Sequence, residues 1–347
     1  MSDAQGPRVT VFMPVFNRAP VLPAAIESVL EQTYQDFELL VVDDGSTDDS
    51  TDVVRGYRKH DSRVRLVVLE RNEGIPRTRN RGLELARGEY LAHADSDDTS
   101  LPERLAHQVA FLDQHPEIAA VGSWVLRTDE HGRGFRGPLL RPTDPRVIRG
   151  RILFASCFKN PTMLGRTEIM RAYGFREPFV ISSDVDLWAR ISEKHALANL
   201  PEFLVRYRAG GTSHQPSAPR TAMRKRVATD MLTSLGVGFG EEDVARHVAL
   251  RNLAGFAPTS DYLDWAEDWL ARLLETNART HTYPEPEFSQ AAAERWGLLQ
   301  ARALATGILP SGLSALPARA FALAGALPTY WELARGFATA QGLRVLG

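Results

Sequence analysis

Apolar residues follow two rhythms along this chain. In the first part they come as short, mainly apolar runs, at residues 9–13, 37–42, 64–69 and 90–94. Runs of this length without polar alternation predict strands covered on both faces. Between them the spacing becomes helical. Residues 20–32 place Val21, Leu22, Ala25, Ile26, Val29 and Leu30 on one face, a second helix follows the turn at 43–48 and runs to about residue 58, and a third covers 76–86. Repeated strand–helix–strand units with short turns predict an α/β fold: a Rossmann-like, mostly parallel sheet with right-handed crossovers, flanked by helices.

Beyond residue 216 the rhythm is helical throughout. Pro216, Ser217, Ala218 and Pro219 read as a linker, and helices are expected over 220–235, 241–254, 261–276 and 288–306. Tyr262, Leu263, Ala266, Trp269, Leu270, Leu273 and Leu274 make one apolar stripe, of the kind that packs on a catalytic domain or a second subunit. The expected organisation is a catalytic domain over 1–215 and a mainly helical C-terminal extension over 216–347. That extension has three candidate roles: acceptor binding, contact in a homo-oligomer, or peripheral membrane contact. The tail at 313–346, broken by Pro317 and Pro328 and carrying Phe321, Tyr330, Trp331 and Phe337, is the candidate interfacial foot; its arginines are scattered rather than clustered, which argues against it.

Composition narrows the classes. The 347 residues are 44% apolar and 24% charged, which describes an ordinary globular protein, and the formal net charge of -2 gives no field for nucleic acid or an anionic membrane. No run approaches the roughly 20 apolar residues of a spanning helix, and residues 1–7 lack an apolar signal core. Cys157 is the single cysteine, so no intrachain disulfide forms. The expected location is the cytoplasm, with peripheral attachment at the inner face of the membrane left open.

The chemistry gathers where strands end. The run at 90–94 stops at Asp95, Asp97 and Asp98, and Leu101-Pro102 then suits the start of a helix. Ligands of open α/β sheets bind at such carboxyl ends. If the turn stays extended, Asp95 and Asp97 point to the same side, and hard oxygen ligands so spaced suit Mg2+ or Mn2+ with positions left for phosphate. Taken by itself the cluster reads equally well as an acidic helix start capped by Asp98 or Thr99.

Several further motifs accompany this turn: Met13-Pro14-Val15-Phe16-Asn17, Asp43-Asp44-Gly45-Ser46-Thr47-Asp48, Asn72-Glu73-Gly74, Arg79-Asn80-Arg81-Gly82, Asn160-Pro161-Thr162, Tyr173-Gly174-Phe175 and Ser183-Asp184-Val185-Asp186-Leu187-Trp188. Their order and spacing over roughly residues 8–215 resemble the family 2 glycosyltransferases, inverting, metal-dependent enzymes of the GT-A fold. The resemblance implies nucleotide-sugar contacts from Pro14, Phe16, Asn17, Asp44, Arg79, Asp95 and Ser96, with a UDP-sugar the expected donor. It implies Asp97 as the direct metal ligand. Asp95 would touch the sugar, the ribose or the metal through water, and His214, which follows Arg206-Tyr207-Arg208, is a further metal or phosphate candidate.

Each residue also has a plainer reading. Phe16 alone would more often be core than a stacking platform; Asp43 suits bracing of its turn; Arg79 alone would be a surface helix arginine; and Asn80 and Gly82 suit packing. Asp184, at a helix start, matches the family's general base for the acceptor hydroxyl, although a carboxylate there is often only a cap. Asp186 competes with it, and Ser183 stands where the family commonly has Glu. The expectation is therefore an inverting glycosyltransferase, using Mn2+ or Mg2+, that moves a sugar to a hydroxyl of a glycan, lipid-linked or small-molecule acceptor in polysaccharide biosynthesis. A nucleotide-sugar-binding module without turnover is the alternative. A dinucleotide-dependent dehydrogenase is disfavoured, because Pro14-Val15-Phe16-Asn17 replaces the Gly-rich phosphate turn.

Overall fold

The computed structural model describes residues 6–209, 218–253 and 256–307. The chain divides into two compact units, one formed by residues 1–143 with 158–217 and the other by 144–157 with 218–347.

The first unit is built on one sheet. Its elements run β1 Val9–Val15, α1 Leu22–Leu30, β2 Phe37–Asp43, α2 Ser50–His60, β3 Val64–Val68, α3 Ile75–Leu85, β4 Tyr90–His93, β5 Thr99–Ser100, α4 Arg104–Gln114, β6 Ile118–Thr128 and β7 Gly137–Leu139. After α5 Pro145–Arg151, which belongs to the second unit, come a 3-10 turn at Asn160–Thr162, β8 Leu164–Arg166, α6 Thr167–Tyr173, α7 Ser183–Ile191 and β9 Ala196–Arg208. The strand order is β3-β2-β1-β4-β8-β6-β9-β5, with β7 on β6. β1 pairs parallel with β2 and β4, and β2 with β3, so the C-terminal ends of these four strands share one edge. The far half is mixed: β8 runs antiparallel to β4 and β6, while β9 runs parallel to β6.

Burial explains why these residues make strands. β2 is buried at every position and β1 at all but Pro14, as mainly apolar runs require when both faces are covered. α1 turns Leu22, Ala25, Ile26 and Val29 into the core that β1, β2 and β4 share. Gly82 lets α3 approach β1: a Cβ there would lie 2.4 Å from the Phe12 ring.

The second unit holds α5 together with α8 Ala218–Leu235, α9 Glu241–Arg251, α10 Ser260–Thr280 and α11 Glu287–Ala305. The expected stripe on α10 is its buried face, with Tyr262, Leu263, Ala266, Trp269, Leu270 and Leu273 inside. Local pattern gave no sign that residues 144–157 pack among these later helices. Arg146 pairs with Glu287 at 2.8 Å and Arg151 with Glu294 at 2.5 Å, contacts far apart in the chain. Among the described residues no helix is long and apolar enough to cross a membrane. The tail candidate at 313–346 lies outside the described residues.

Candidate active site

The shared strand edge collects the polar turns. After β1, Phe16 is exposed, and the side chain of Asn17 accepts from the Thr47 N–H at 2.8 Å, tying the β1 turn to the β2 turn. Pro14 is half-buried within β1. Asp43 braces its own turn, accepting from Ser46 N–H at 2.7 Å and the Thr51 hydroxyl at 3.0 Å. Asp44 reaches across to the loop after β3 and accepts from Glu73 and Gly74 N–H at 2.7 and 3.0 Å, fixing the entry to α3. Val68 and Ile75 are also exposed at this edge, so with Phe16 they add apolar surface beside a polar crevice.

The acidic turn follows β4. Ser96 and Asp98 are buried, whereas Asp95 and Asp97 keep partial access. Asp98 Oδ1 accepts from Arg208 N–H at 2.8 Å, and its other oxygen has no partner. Burial, reinforced by the charges of Asp95 and Asp97, pushes its carboxyl well above the usual range. Burial likewise raises Asp95 to about 6; Asp97 and Asp184 push the same way, while Arg79 and Arg104 oppose them. Asp97 has Arg18 at 3.9 Å. Burial and mutual repulsion thus make it costly to ionise these carboxylates together.

Two cations support the turn from inside. Arg104, at the start of α4, is buried and donates to the His93 carbonyl at 2.7 Å, Ser100 Oγ at 3.0 Å and Gln108 Oε1 at 3.1 Å. Burial lowers its pKa to about 10, against the pull of Asp95 and Asp98. Arg79 is not a surface arginine: it is buried on α3, donates to Ser183 Oγ at 2.8 Å and lies 5.3 Å from the Phe175 ring centre. Ser183 thus anchors the Arg79 guanidinium. His93 packs edge-on against Phe12, Phe175 and Trp188 with its Nε2 unpartnered; burial, then Arg79 and Arg104, hold its pKa well below the usual value, so the ring is neutral.

α7 separates the two base candidates. Asp186 is buried and ion-paired with both Arg176 and Arg190, the latter at 3.0 Å. Asp184, in the first turn, makes no hydrogen bond or ion pair among the described residues. Its charge acts on both Asp95 and Lys159, so it lies with the acidic turn. Lys159 sits 4.5 Å from the Tyr207 ring centre; burial and Arg141 lower its pKa, while Asp184, Asp98 and Asp95 oppose the shift.

The structure therefore brings Asp95, Asp97, Asp98, Asp184, Arg79 and Lys159 into one neighbourhood. His214 lies outside the described residues. Lys159, Arg104 and His93 carried no local signal, because their roles depend on side chains distant in sequence. Among the described residues no group of three or more His, Cys, Asp or Glu is arranged to hold a metal by itself. The donor set nevertheless fits a hard divalent cation. Such ions are commonly held by one or two carboxylates plus substrate phosphates, and the buried Asp98 oxygen without a partner and the carboxyl of Asp95 beside it leave acceptors for one.

The parallel four-strand edge, the mixed far half of the sheet and the helices that flank them are those of the GT-A fold. The model of the family "Glycosyl transferase family 2" matches residues 10–177. EpsE of Bacillus subtilis (strain 168), whose name assigns it to the glycosyltransferases, is 35% identical over 208 residues, covering 58% of this chain and 73% of its own. The amylovoran biosynthesis glycosyltransferase AmsE of Erwinia amylovora is 31% identical over 190 residues, 54% of this chain and 71% of AmsE. Among solved structures, S. aureus TarS 1–349 superposes with a TM-score of 0.55 at 20% identity, covering 86% of this chain and 88% of that one. The same TarS fragment with UDP-GlcNAc also gives 0.55, at 19% identity and the same coverage. The chain belongs to glycosyltransferase family 2, and it is a glycosyltransferase.

Proposed function

We propose that this glycosyltransferase moves a sugar from a UDP-sugar to a hydroxyl of a growing glycan, free or lipid-linked, by one inverting displacement in the cytoplasm, in the service of polysaccharide synthesis. The observation that carries the reading is the contrast on α7: Asp186 is neutralised by two arginines, while Asp184 is free and beside the acidic turn. TarS in complex with UDP-GlcNAc and the name of AmsE support the donor and the pathway class.

In this account Phe16 stacks on the base and Asp44 holds the loop that borders it. Pro14 and Asn17 shape the base pocket, Ser96 lies by the ribose, and Arg79 takes a phosphate or base edge. Mn2+ or Mg2+ held by Asp97 and Asp95, together with the donor's phosphates, would neutralise charge on the leaving diphosphate. Asp184 accepts the acceptor's hydroxyl proton as the oxygen bonds to the anomeric carbon and the bond from that carbon to the diphosphate oxygen breaks on the opposite face. Lys159 steadies the Asp184 carboxylate as the acceptor arrives.

The test is release of nucleoside diphosphate from a panel of UDP-, GDP- and dTDP-sugars with pooled cell glycans and lipids, with and without Mn2+ or Mg2+. Metal-dependent release from a UDP-sugar, absent in Asp97→Ala, is expected. Donor binding without turnover under every acceptor would instead support the non-catalytic alternative.

A further inference from the structure

The opposite edge of the sheet carries a second concentration of charge. Phe37 opens β2, Val64 opens β3, and Arg87 follows the end of α3, just ahead of β4. Here a cavity of about 420 Å³ is lined by residues that include Phe37, Glu38, Arg58, Arg63, Arg65 and Arg87. Four arginines and one glutamate are among its lining residues, on a chain whose net charge is -2.

Part of this is architecture. The N-terminal edge of a parallel sheet collects helix C-termini, whose carbonyls attract cations. Arg63 donates to the Leu30 carbonyl at the end of α1, pairs with Asp61 at 2.6 Å and lies 4.5 Å from the Phe37 ring centre. Arg65 donates to the Leu85 carbonyl at the end of α3 and lies 3.4 Å from Glu38. Those two are spoken for.

Arg58 and Arg87 are not. Both are exposed, and among the described residues neither guanidinium makes a hydrogen bond or an ion pair. Their places near the ends of α2 and α3 gain each of them about 0.3–1 kcal/mol from the helix dipole. That gain does not explain why both line one cavity with their guanidinium donors unpaired. A bound anion takes charge-assisted hydrogen bonds from both arginines.

We propose that this cavity is a binding site for a phosphate- or diphosphate-bearing anion, held by Arg58 and Arg87 against the fixed Arg63 and Arg65. The site stands apart from the acidic turn and does not depend on the proposed reaction. A soluble phosphate ester and the headgroup of an anionic lipid share this chemistry.

Calorimetric titration of the full chain with inorganic pyrophosphate, at saturating UDP, tests it. Binding is expected, weakened by added salt, and reduced about tenfold or more in Arg58→Gln/Arg87→Gln. Asp97→Ala should bind pyrophosphate as the unaltered protein does, which separates this cavity from the donor site even if the proposed reaction is wrong. Flotation with phosphatidylglycerol vesicles then identifies the source. Vesicle binding that pyrophosphate competes away and the double variant loses assigns a lipid headgroup; pyrophosphate binding without vesicle binding assigns a soluble ester. Absence of pyrophosphate binding, or binding unchanged in the double variant, overturns the proposal.

Discussion

Both units bury charge and imidazole, and they treat it in opposite ways. In the helical unit, His247 is fully buried yet satisfied at both nitrogens: Nε2 meets the Leu153 carbonyl at 3.1 Å, and Trp269 Nε1 donates to Nδ1 at 3.1 Å. Arg251 beside it donates to the Ile152 and Leu153 carbonyls at 3.1 and 2.8 Å. In the sheet unit, His93 Nε2, Arg79 Nε, Asp98 Oδ2, Asn160 Oδ1 and Trp188 Nε1 are buried without partners. Trp296 Nε1 is an exception in the helical unit, but it stands alone there among the described residues. An unmet buried polar atom costs about 1–3 kcal/mol, so several in one unit need an offsetting cause. A ligand that supplies the missing partners is such a cause; the helical unit, whose polar network closes on itself, needs none.

The largest effect that would break this contrast is on α7. Asp184→Asn should lower transfer by about 10²–10⁴-fold while leaving the fold intact, as removal of a general base does, read as kcat in a nucleoside diphosphate release assay. Asp186→Asn should act the other way round. It strips the counter-charge from Arg176 and Arg190, so its first effect is a loss of about 3–5 kcal/mol in denaturant unfolding.

His247→Ala should come next, at about 2–4 kcal/mol, because it opens a cavity and leaves the Trp269 N–H unpaired. The same residue sets a pH dependence. Burial, with Arg251 and Arg295 adding to it, lowers its pKa from 6.5 to about 3. The unfolded chain therefore binds the proton more readily than the folded one, and stability present above about pH 6.5 is lost as pH falls toward 3. Between pH 7 and pH 5 that loss is about 2 kcal/mol, absent in a His247→Gln variant that retains the fold. Smaller again is Ser183→Ala, which frees one Arg79 N–H at about 1 kcal/mol and should raise KM for the donor more than it lowers kcat.

How far the sequence carried depends on where each signal resides. The first four strands and the helices between them were readable because burial on both faces leaves a mainly apolar run, and β1 and β2 show that burial position by position. The carboxylates at the strand ends were readable because a turn concentrates them in a few residues. The mixed half of the sheet was not. β6 interrupts its apolar run with Gly122 and Ser123, which are buried because Thr162 and Asn199 close on them, and β9 carries Pro201 at a register shift against β6. Arg104, Lys159 and His93 were invisible for a related reason. An arginine looks solvated until the fold sets the His93 carbonyl and Asp95 beside it, and no short pattern records that. The choice between Asp184 and Asp186 likewise turned on Arg176 and Arg190, whose side chains meet Asp186 only once α7 is formed.

The account stands most directly on donor binding and turnover measured side by side in Asp184→Asn. With a UDP-sugar and Mn2+, calorimetry should find donor affinity within a few-fold of the unaltered protein while sugar transfer to glycan or lipid acceptors disappears. Transfer that persists at the original rate in this variant would show that Asp184, a carboxylate left free beside the acidic turn, is not the base.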